Sequence, residues 1–439
     1  METAPIPSFF APAFRSERSR RPLPDLGAWV QAVPYVHLLF DERPEGTCLL
    51  AFGAQEVWSE TEVTADLPER VADFVRDRWV FGWLGYDLKN AVEQLESARP
   101  DALGFPVVSL FAPRILLRWG AATGGKVEVL AGAGEPECGG LCAAIEGAQA
   151  RPEGWEPPAA PGIALKPRWD ASKYRQRVAR VKKHIQQGDV YELNLCAEWS
   201  AAGILPDPWG AYVRLQDKTR APMGGFVRMG DCYALSGSPE RFLQRTGSLL
   251  RSQPIKGTVR RSEDPEEDRM LAEGLACSVK ERAENVMITD LVRNDLSRVA
   301  AMGSVRVPEL CGIHTFRTVH QMVSTVECTL DPERGLADIL RATFPMGSMT
   351  GAPKIRAMQL IDALEANRRG LYSGTMGYFA PGGDFDLNVM IRSILYHAGK
   401  GRVSVQVGGA ITALSDPDEE WAECSTKVRA LLETLEGRG

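Results

Sequence analysis

Apolar and polar positions change their period along this chain, and each change marks an element. Between Asp170 and Gly188 the residues Tyr174, Val178, Val181 and Ile185 recur at helical spacing, with Asp170 placed to cap the helix and Gly188 to end it. The pattern then turns strand-like at Val190 to Ala197, Gly374 to Ala380, Val389 to Tyr396 and Val403 to Val407, the last alternating Val403, Val405, Val407. Earlier, Trp79 to Tyr86 forms a short strand-like run among glycine-rich turns. Arg151 to Pro167 is proline-rich and aperiodic, and reads as a connector. These shifts divide the chain into an N-terminal region (1–150), a linker (151–168) and a larger part (169–437) against which the N-terminal region packs closely. Helices and strands mix without a regular βαβ rhythm, so the pattern predicts an α+β fold with large, mainly antiparallel sheets.

Composition narrows the classes. A chain of 439 residues with 44% hydrophobic content can bury a large core. Its 51 basic and 57 acidic residues leave a net charge of −6 without a block of one sign, which argues against nucleic acid as a partner. No apolar stretch is long enough to cross a membrane. Arg15, Arg18, Arg20 and Arg21 precede no apolar run, so the N-terminus reads as a solvated tail rather than a secretion signal. The nine cysteines are scattered, and Cys138 and Cys142 lack a second pair to complete a zinc site. Reduced thiols in a cytoplasmic protein are expected.

Some side chains stand out chemically. Lys256, in Pro254-Ile255-Lys256-Gly257-Thr258, is an amine between apolar and glycine neighbours. Burial disfavours its ammonium and is expected to draw its pKa toward neutrality, as an attacking amine requires. By itself it also reads as a strand-end lysine with a solvated head. Two helices each carry Glu-x-x-Glu, Glu281 with Glu284 and Glu420 with Glu423, the second started by Asp416 and Pro417. That spacing puts both carboxylates of a pair on one face, and Glu284 shares its face with Met287, Ile288 and Leu291, so it should point inward. An inward carboxylate needs a cation or hydrogen bonds, and oxygen ligands of this kind suit Mg²⁺. The other reading is two solvated faces, with Glu423 bridging to Lys427.

Arg392, read as a strand residue, offers a two-pronged grip on a carboxylate. Gly408-Gly409-Ala410, read as a turn after a strand, can aim backbone N–H groups at an anion. Ser348 and Thr350 stand just before a helix starting near Pro353, a position that favours anions. Taken singly, each also has a plain structural reading: a sheet-face ion pair, a bulge, an N-cap.

Order gives these fragments their meaning. Ser238-Pro239-Glu240-Arg241-Phe242, the Lys256 segment, Ala283-Glu284-Asn285 and Asp290 to Asp295 are followed by His320-Gln321-Met322-Val323-Ser324 and Gly347 to Lys354. Arg369-Gly370-Leu371-Tyr372, Ile391-Arg392-Ser393 and Gly408-Gly409-Ala410 complete the series. From about Tyr174 to Lys427 the chain resembles the chorismate-utilising enzymes, a family that includes anthranilate synthase large subunit, aminodeoxychorismate synthase component I, isochorismate synthase and salicylate synthase. The resemblance implies two large sheets packed together with surrounding helices, and an N-terminal region like that of anthranilate synthase component I. Within the family, Pro-Ile-Lys-Gly-Thr is similar to the aminodeoxychorismate synthase branch, because other branches carry alanine where Lys256 stands.

The same resemblance implies roles. Glu284 and Glu423 match direct Mg²⁺ ligands, and Glu281 and Glu420 match outer carboxylates that hold metal-bound water. Ser348, Thr350, Tyr372, Arg392, Gly408, Gly409, Lys427 and Thr258 would surround chorismate. Glu240 would protonate the departing C4 hydroxyl, and His320 would assist proton transfer or simply hydrogen bond. Lys256 would add at C2 before ammonia attacks C4, giving 4-amino-4-deoxychorismate for 4-aminobenzoate and folate synthesis. Ammonia attacking C2 directly would make the chain an anthranilate synthase component I instead. No cysteine lies in a nucleophile turn of the G-x-C-x-G kind, and the resemblance implies that ammonia comes from a separate glutamine amidotransferase subunit.

The chain also departs from the pattern. Glu192, in Tyr191-Glu192-Leu193-Asn194, stands where ammonia-using relatives commonly have glutamine and isochorismate-forming ones lysine. Ala410 replaces a third glycine. Leu38 to Asp41 and Ala221 to Phe226 keep little of the stretches tied to tryptophan binding, so feedback by tryptophan is not expected.

Overall fold

The structure, a computed structural model, describes residues 22–41, 46–148 and 162–436. The arginine-rich tail, most of the connector and the last residues of the chain lie outside the described residues.

Antiparallel pairing organises most of this chain. Val319–Thr329 carries Leu249–Gln253 and Ile255–Arg260 in succession, and also Arg306–Thr315. From Leu249–Gln253 a continuous ribbon runs through Arg241–Thr246, Phe385–Asn388, Thr375–Phe379, Val80–Leu84 and Val108–Gly120. It continues through Thr47–Glu60, Tyr35–Leu39, Gly225–Met229 and Cys232–Ser236. Ser393–His397, Arg402–Ile411 and Glu192–Ala202 complete it. A sheet this long must curl or fold over to bury its faces. Here its two ends meet, because Lys256 near one end forms an ion pair with Glu192 at the other. The α+β class and the antiparallel sheets are as expected, with one difference of detail. Hydrogen bonding is continuous from end to end, and among the described residues two large apolar cores lie on the ribbon's faces, with a small third cluster of Leu275, Cys311 and Met322.

Strands in the middle of the ribbon are buried on both sides. Leu50 and Phe52 enter one core while Leu49 and Ala51 enter the other. Such strands read as unbroken apolar runs, so periodicity alone says little about them. The helices Ala171–Gln186 and Pro417–Glu436 cover one core through Tyr174, Val178, Val428 and Leu431. Val279–Ser297 covers the other through Ile288, Val292 and Leu296. Asp170 caps the first of these helices by accepting from Lys173 N at 2.8 Å, and Asp416 caps the last by accepting from Asp418 N at 2.8 Å. Among the described residues no helix is long and apolar enough to cross a membrane.

Two strand expectations need correction. Val389 to Tyr396 is not one strand, because Phe385–Asn388 and Ser393–His397 are separated by a break in which Arg392 takes φ 52°. The backbone there bonds elsewhere: Ser373 N donates to Met390 O, Met390 N to Gly374 O, and Gly237 N to Arg392 O. Gly408-Gly409-Ala410 is no turn but the end of the strand Arg402–Ile411, paired with Cys196, Leu195 and Asn194. Glycine serves close packing there, since a Cβ on Gly408 would lie 2.6 Å from Cys196 Sγ and 2.7 Å from Leu195 O.

Candidate active site

The site lies where the ends of the ribbon meet the two glutamate helices. Lys256 Nζ donates to Glu192 Oε1 at 3.0 Å, with side-chain exposures of 10% and 1%. The nitrogen is thus inside the molecule among carboxylates. Its pKa does not fall as expected. Burial lowers it, but Glu192, Glu284 and Glu240 together outweigh that penalty and hold the amine above its ordinary value. The lysine of the ligand-free protein is an ammonium.

Glu240 behaves as an acid should. It is buried just ahead of the strand Arg241–Thr246, and burial pushes its pKa up to about 7 against the opposing pulls of Ser348, Lys256 and the Ile255 backbone. Ser348 Oγ approaches Glu240 without completing a hydrogen bond, leaving a buried hydroxyl open to a ligand.

The four glutamates occupy facing elements. Glu281 and Glu284 start the helix Val279–Ser297, whose N-cap Ser278 accepts from Glu281 N. Gly257, beside Lys256, packs against this corner, where a Cβ would lie 3.0 Å from Glu281 Oε2. Glu420 and Glu423 start Pro417–Glu436, and a Cβ on Gly409 would lie 3.0 Å from Glu420 Oε2, 3.9 Å from Lys427 Nζ and 4.0 Å from Glu423 Oε1. Burial drives the Glu284 pKa up to about 7, helped by the like charges of Glu192 and Glu281. Glu284 Oε1 and Glu420 Oε2 are buried with no donor in contact among the described residues. Two bare carboxylate oxygens are costly, and a divalent cation would satisfy both.

Among the described residues, however, no three carboxylate, imidazole or thiol groups are gathered into a ready coordination shell. The carboxylates turn to lysines instead. Glu423, 48% exposed, pairs with Lys427 at 2.5 Å, as the solvated reading of that face expects, while Lys280 lies 3.9 Å from Glu420. Like charges spread apart unless a cation draws them together. The donor set therefore fits Mg²⁺ in type, with its carboxylates standing apart rather than gathered.

The remaining candidates divide. Arg392, outside any strand, gives one N–H to Lys427 O at 3.3 Å and has no carboxylate partner among the described residues. Tyr372 is buried, its hydroxyl 3.7 Å from Cys196 Sγ, and Lys427 Nζ donates to Gly408 O at 2.8 Å. The Thr350 hydroxyl is turned back to Gly347 O at 3.2 Å, so it closes its own turn. Thr258 lies exposed on the Lys256 strand, accepting weakly from Gln321 at 3.5 Å. Both ring nitrogens of His320 are taken, one by Thr315 Oγ1 at 3.0 Å and the other by Asp268 Oδ1 at 2.9 Å. Those two bonds tether the ring between the strand Arg306–Thr315 and the helix Pro265–Cys277.

Sequence reasoning missed two participants. Glu192 was visible only as an unexplained departure, and its partner Lys256 is 64 residues away along the chain. Arg369 is buried with Glu365 and reaches Asn194 O at 2.9 Å and Met349 O at 2.6 Å, joining the Glu192 strand to the Ser348 turn. Its only sequence signal is its place in the Arg-Gly-Leu-Tyr motif.

A buried lysine, a carboxylic acid that titrates near neutrality and two pairs of helix glutamates are groups of the kind enzymes use for catalysis. Residues 29–433 match the family described as chorismate binding enzyme, and the chain belongs to it. It is 34% identical over 410 residues to aminodeoxychorismate synthase component 1 of Escherichia coli K12, covering 88% of this chain and 87% of that one. It is 38% identical to aminodeoxychorismate synthase of Streptomyces griseus, where the match covers 90% of this chain but 55% of the relative. The fold is that of anthranilate synthase component I from Streptococcus pneumoniae TIGR4, at TM-score 0.76 and 26% identity over 90% of this chain and 93% of that one.

Proposed function

We propose that this chain is the chorismate-aminating component of an aminodeoxychorismate synthase, converting chorismate and ammonia to 4-amino-4-deoxychorismate. The single observation that carries the reading is Lys256: an amine buried at the meeting point of Glu192, Glu240 and Glu284. The named relatives favour this assignment over the anthranilate alternative.

The chain's own residues divide the work. Arg392, Lys427 and the buried Ser348 hydroxyl would bind and orient the substrate carboxylates, with Tyr372 beside the ring and the Gly408–Gly409 strand end leaving room for it. Glu240, protonated below about 7, would donate to the C4 oxygen as water leaves while the Lys256 nitrogen bonds to C2. Ammonia would then bond to C4 as the C2–N bond to Lys256 breaks. Glu284 and Glu423, backed by Glu281 and Glu420, would hold Mg²⁺, which when bound withdraws electron density from the ring through its carboxylate. Thr350, Thr258 and His320 would support the surrounding turns and strands. We place the protein in the cytoplasm, with a glutamine amidotransferase subunit as its source of ammonia.

Product identification tests this directly. Wild type with chorismate, Mg²⁺ and ammonium should yield an amino-chorismate that a lyase converts to 4-aminobenzoate, and Lys256→Ala should lose at least about 100-fold in that product. Accumulation of anthranilate by the wild type would reverse the assignment.

A further inference from the structure

An ammonium cannot add to carbon, so Lys256 must first lose a proton, and one acceptor is in contact with it. Among the described residues Nζ makes a single hydrogen bond, to Glu192 Oε1 at 3.0 Å. Glu240, Glu284 and Glu423 act on it through their fields without touching it. The other oxygen of Glu192, Oε2, is buried and has no donor among the described residues. Among the described residues the lysine is the one hydrogen-bond donor to the Glu192 carboxylate.

The pair is also costly as ions. Only 10% of the lysine side chain and 1% of the glutamate remain exposed, so both charges have given up most of their water. Moving one proton across the 3.0 Å hydrogen bond gives a neutral amine and a neutral acid, recovering the burial penalty at the cost of the attraction that keeps the ammonium in the empty site. A ligand seated over the lysine takes away the remaining water and shifts the balance toward transfer.

We propose that Glu192 is the base of this site, accepting the Lys256 proton so that the amine can attack. The proposal rests on the covalent reading above and balances with it. The proton passes from Nζ to Oε1. The freed lone pair then forms the N–C2 bond as the C4–O bond breaks, and Glu240 supplies the proton that makes the leaving oxygen water. When ammonia has bonded to C4 and the C2–N bond breaks, Lys256 departs as a neutral amine and recovers its proton from Glu192, while the new ammonium at C4 returns a proton to Glu240. This also accounts for a glutamate at this position, since a glutamine could hydrogen bond to the lysine but could not take its proton.

The test is adduct formation without ammonia. Wild type, Glu192→Gln, Glu192→Asp and Lys256→Ala are mixed with chorismate and Mg²⁺, quenched over time, and the Lys256 peptide is weighed by mass spectrometry. Wild type should gain chorismate less one water. Glu192→Gln should bind chorismate within about threefold of wild type but form the adduct roughly 100-fold more slowly at pH 7, with a rate climbing as pH rises and solvent takes the proton. Glu192→Asp should recover part of the rate. A glutamine variant that adds as fast as wild type, or an aspartate variant no faster than glutamine, overturns the assignment. Absence of any adduct in the wild type overturns the covalent route itself, and this base with it.

Discussion

A carboxyl group buried beside an ammonium can titrate near neutrality, and Glu240 does so because burial outweighs its polar neighbours. In the proton-donor role proposed above it is competent below about 7, so turnover should fall as pH rises through that value. Glu240→Gln should lose about 100-fold or more while still binding chorismate, and comparing their kcat profiles against pH checks this. The same group shapes stability. The folded protein holds protons on Glu240 and Glu284 up to about 7, whereas unfolded glutamates release theirs near 4.5. More protons are bound in the folded state between those limits, so the metal-free protein should lose stability as pH rises from about 4.5 to 7. Urea midpoints across that range, for wild type and for Glu240→Gln with Glu284→Gln, should slope in the first and flatten in the second.

At the scale of elements, the adjacent glycines of Arg402–Ile411 serve different ends. A Cβ on Gly408 would strike Cys196 Sγ and the backbone of Leu195, and neither can yield easily. One on Gly409 would meet the flexible end of Glu420 at 3.0 Å. Gly408→Ala should therefore cost about 1–3 kcal/mol of stability by overpacking. Gly409→Ala should keep the wild-type melting temperature but crowd Glu420 and Glu423, weakening Mg²⁺ dependence and activity. Thermal unfolding beside an assay at graded Mg²⁺ separates the two.

The helices show how far local pattern carries. Asp170 and Asp416 cap the helices expected of them because a cap depends on residues within one turn. Arg392 and Gly408 to Ala410 were misplaced for the opposite reason. Their backbone partners, Gly237 for the one and Leu195 with its neighbours for the other, are distant in the chain.

Across the whole molecule, the N-terminal strands are structural neighbours of the site-bearing half. Tyr35–Leu39 pairs with Gly225–Met229, and Val80–Leu84 with Thr375–Phe379. We retain residues 1–150 and 169–437 as a division of the sequence, and expect the second part to aggregate when expressed alone. Cutting it free would bare two strand edges and both cores. A soluble, cooperatively unfolding 169–437 fragment would refute this.

Residue types and their order along the chain determined the chemistry available here: a lysine, an acid, four helix carboxylates and the family they belong to. Each of those signals is local, set by neighbours within a few positions, and so survives in a linear reading. Tertiary structure alone decided that Glu192 meets Lys256, that the lysine rests as an ammonium, and that Arg392 leaves the sheet. Those outcomes depend on the field and packing produced when the two ends of a long ribbon close on each other, which no stretch of sequence contains.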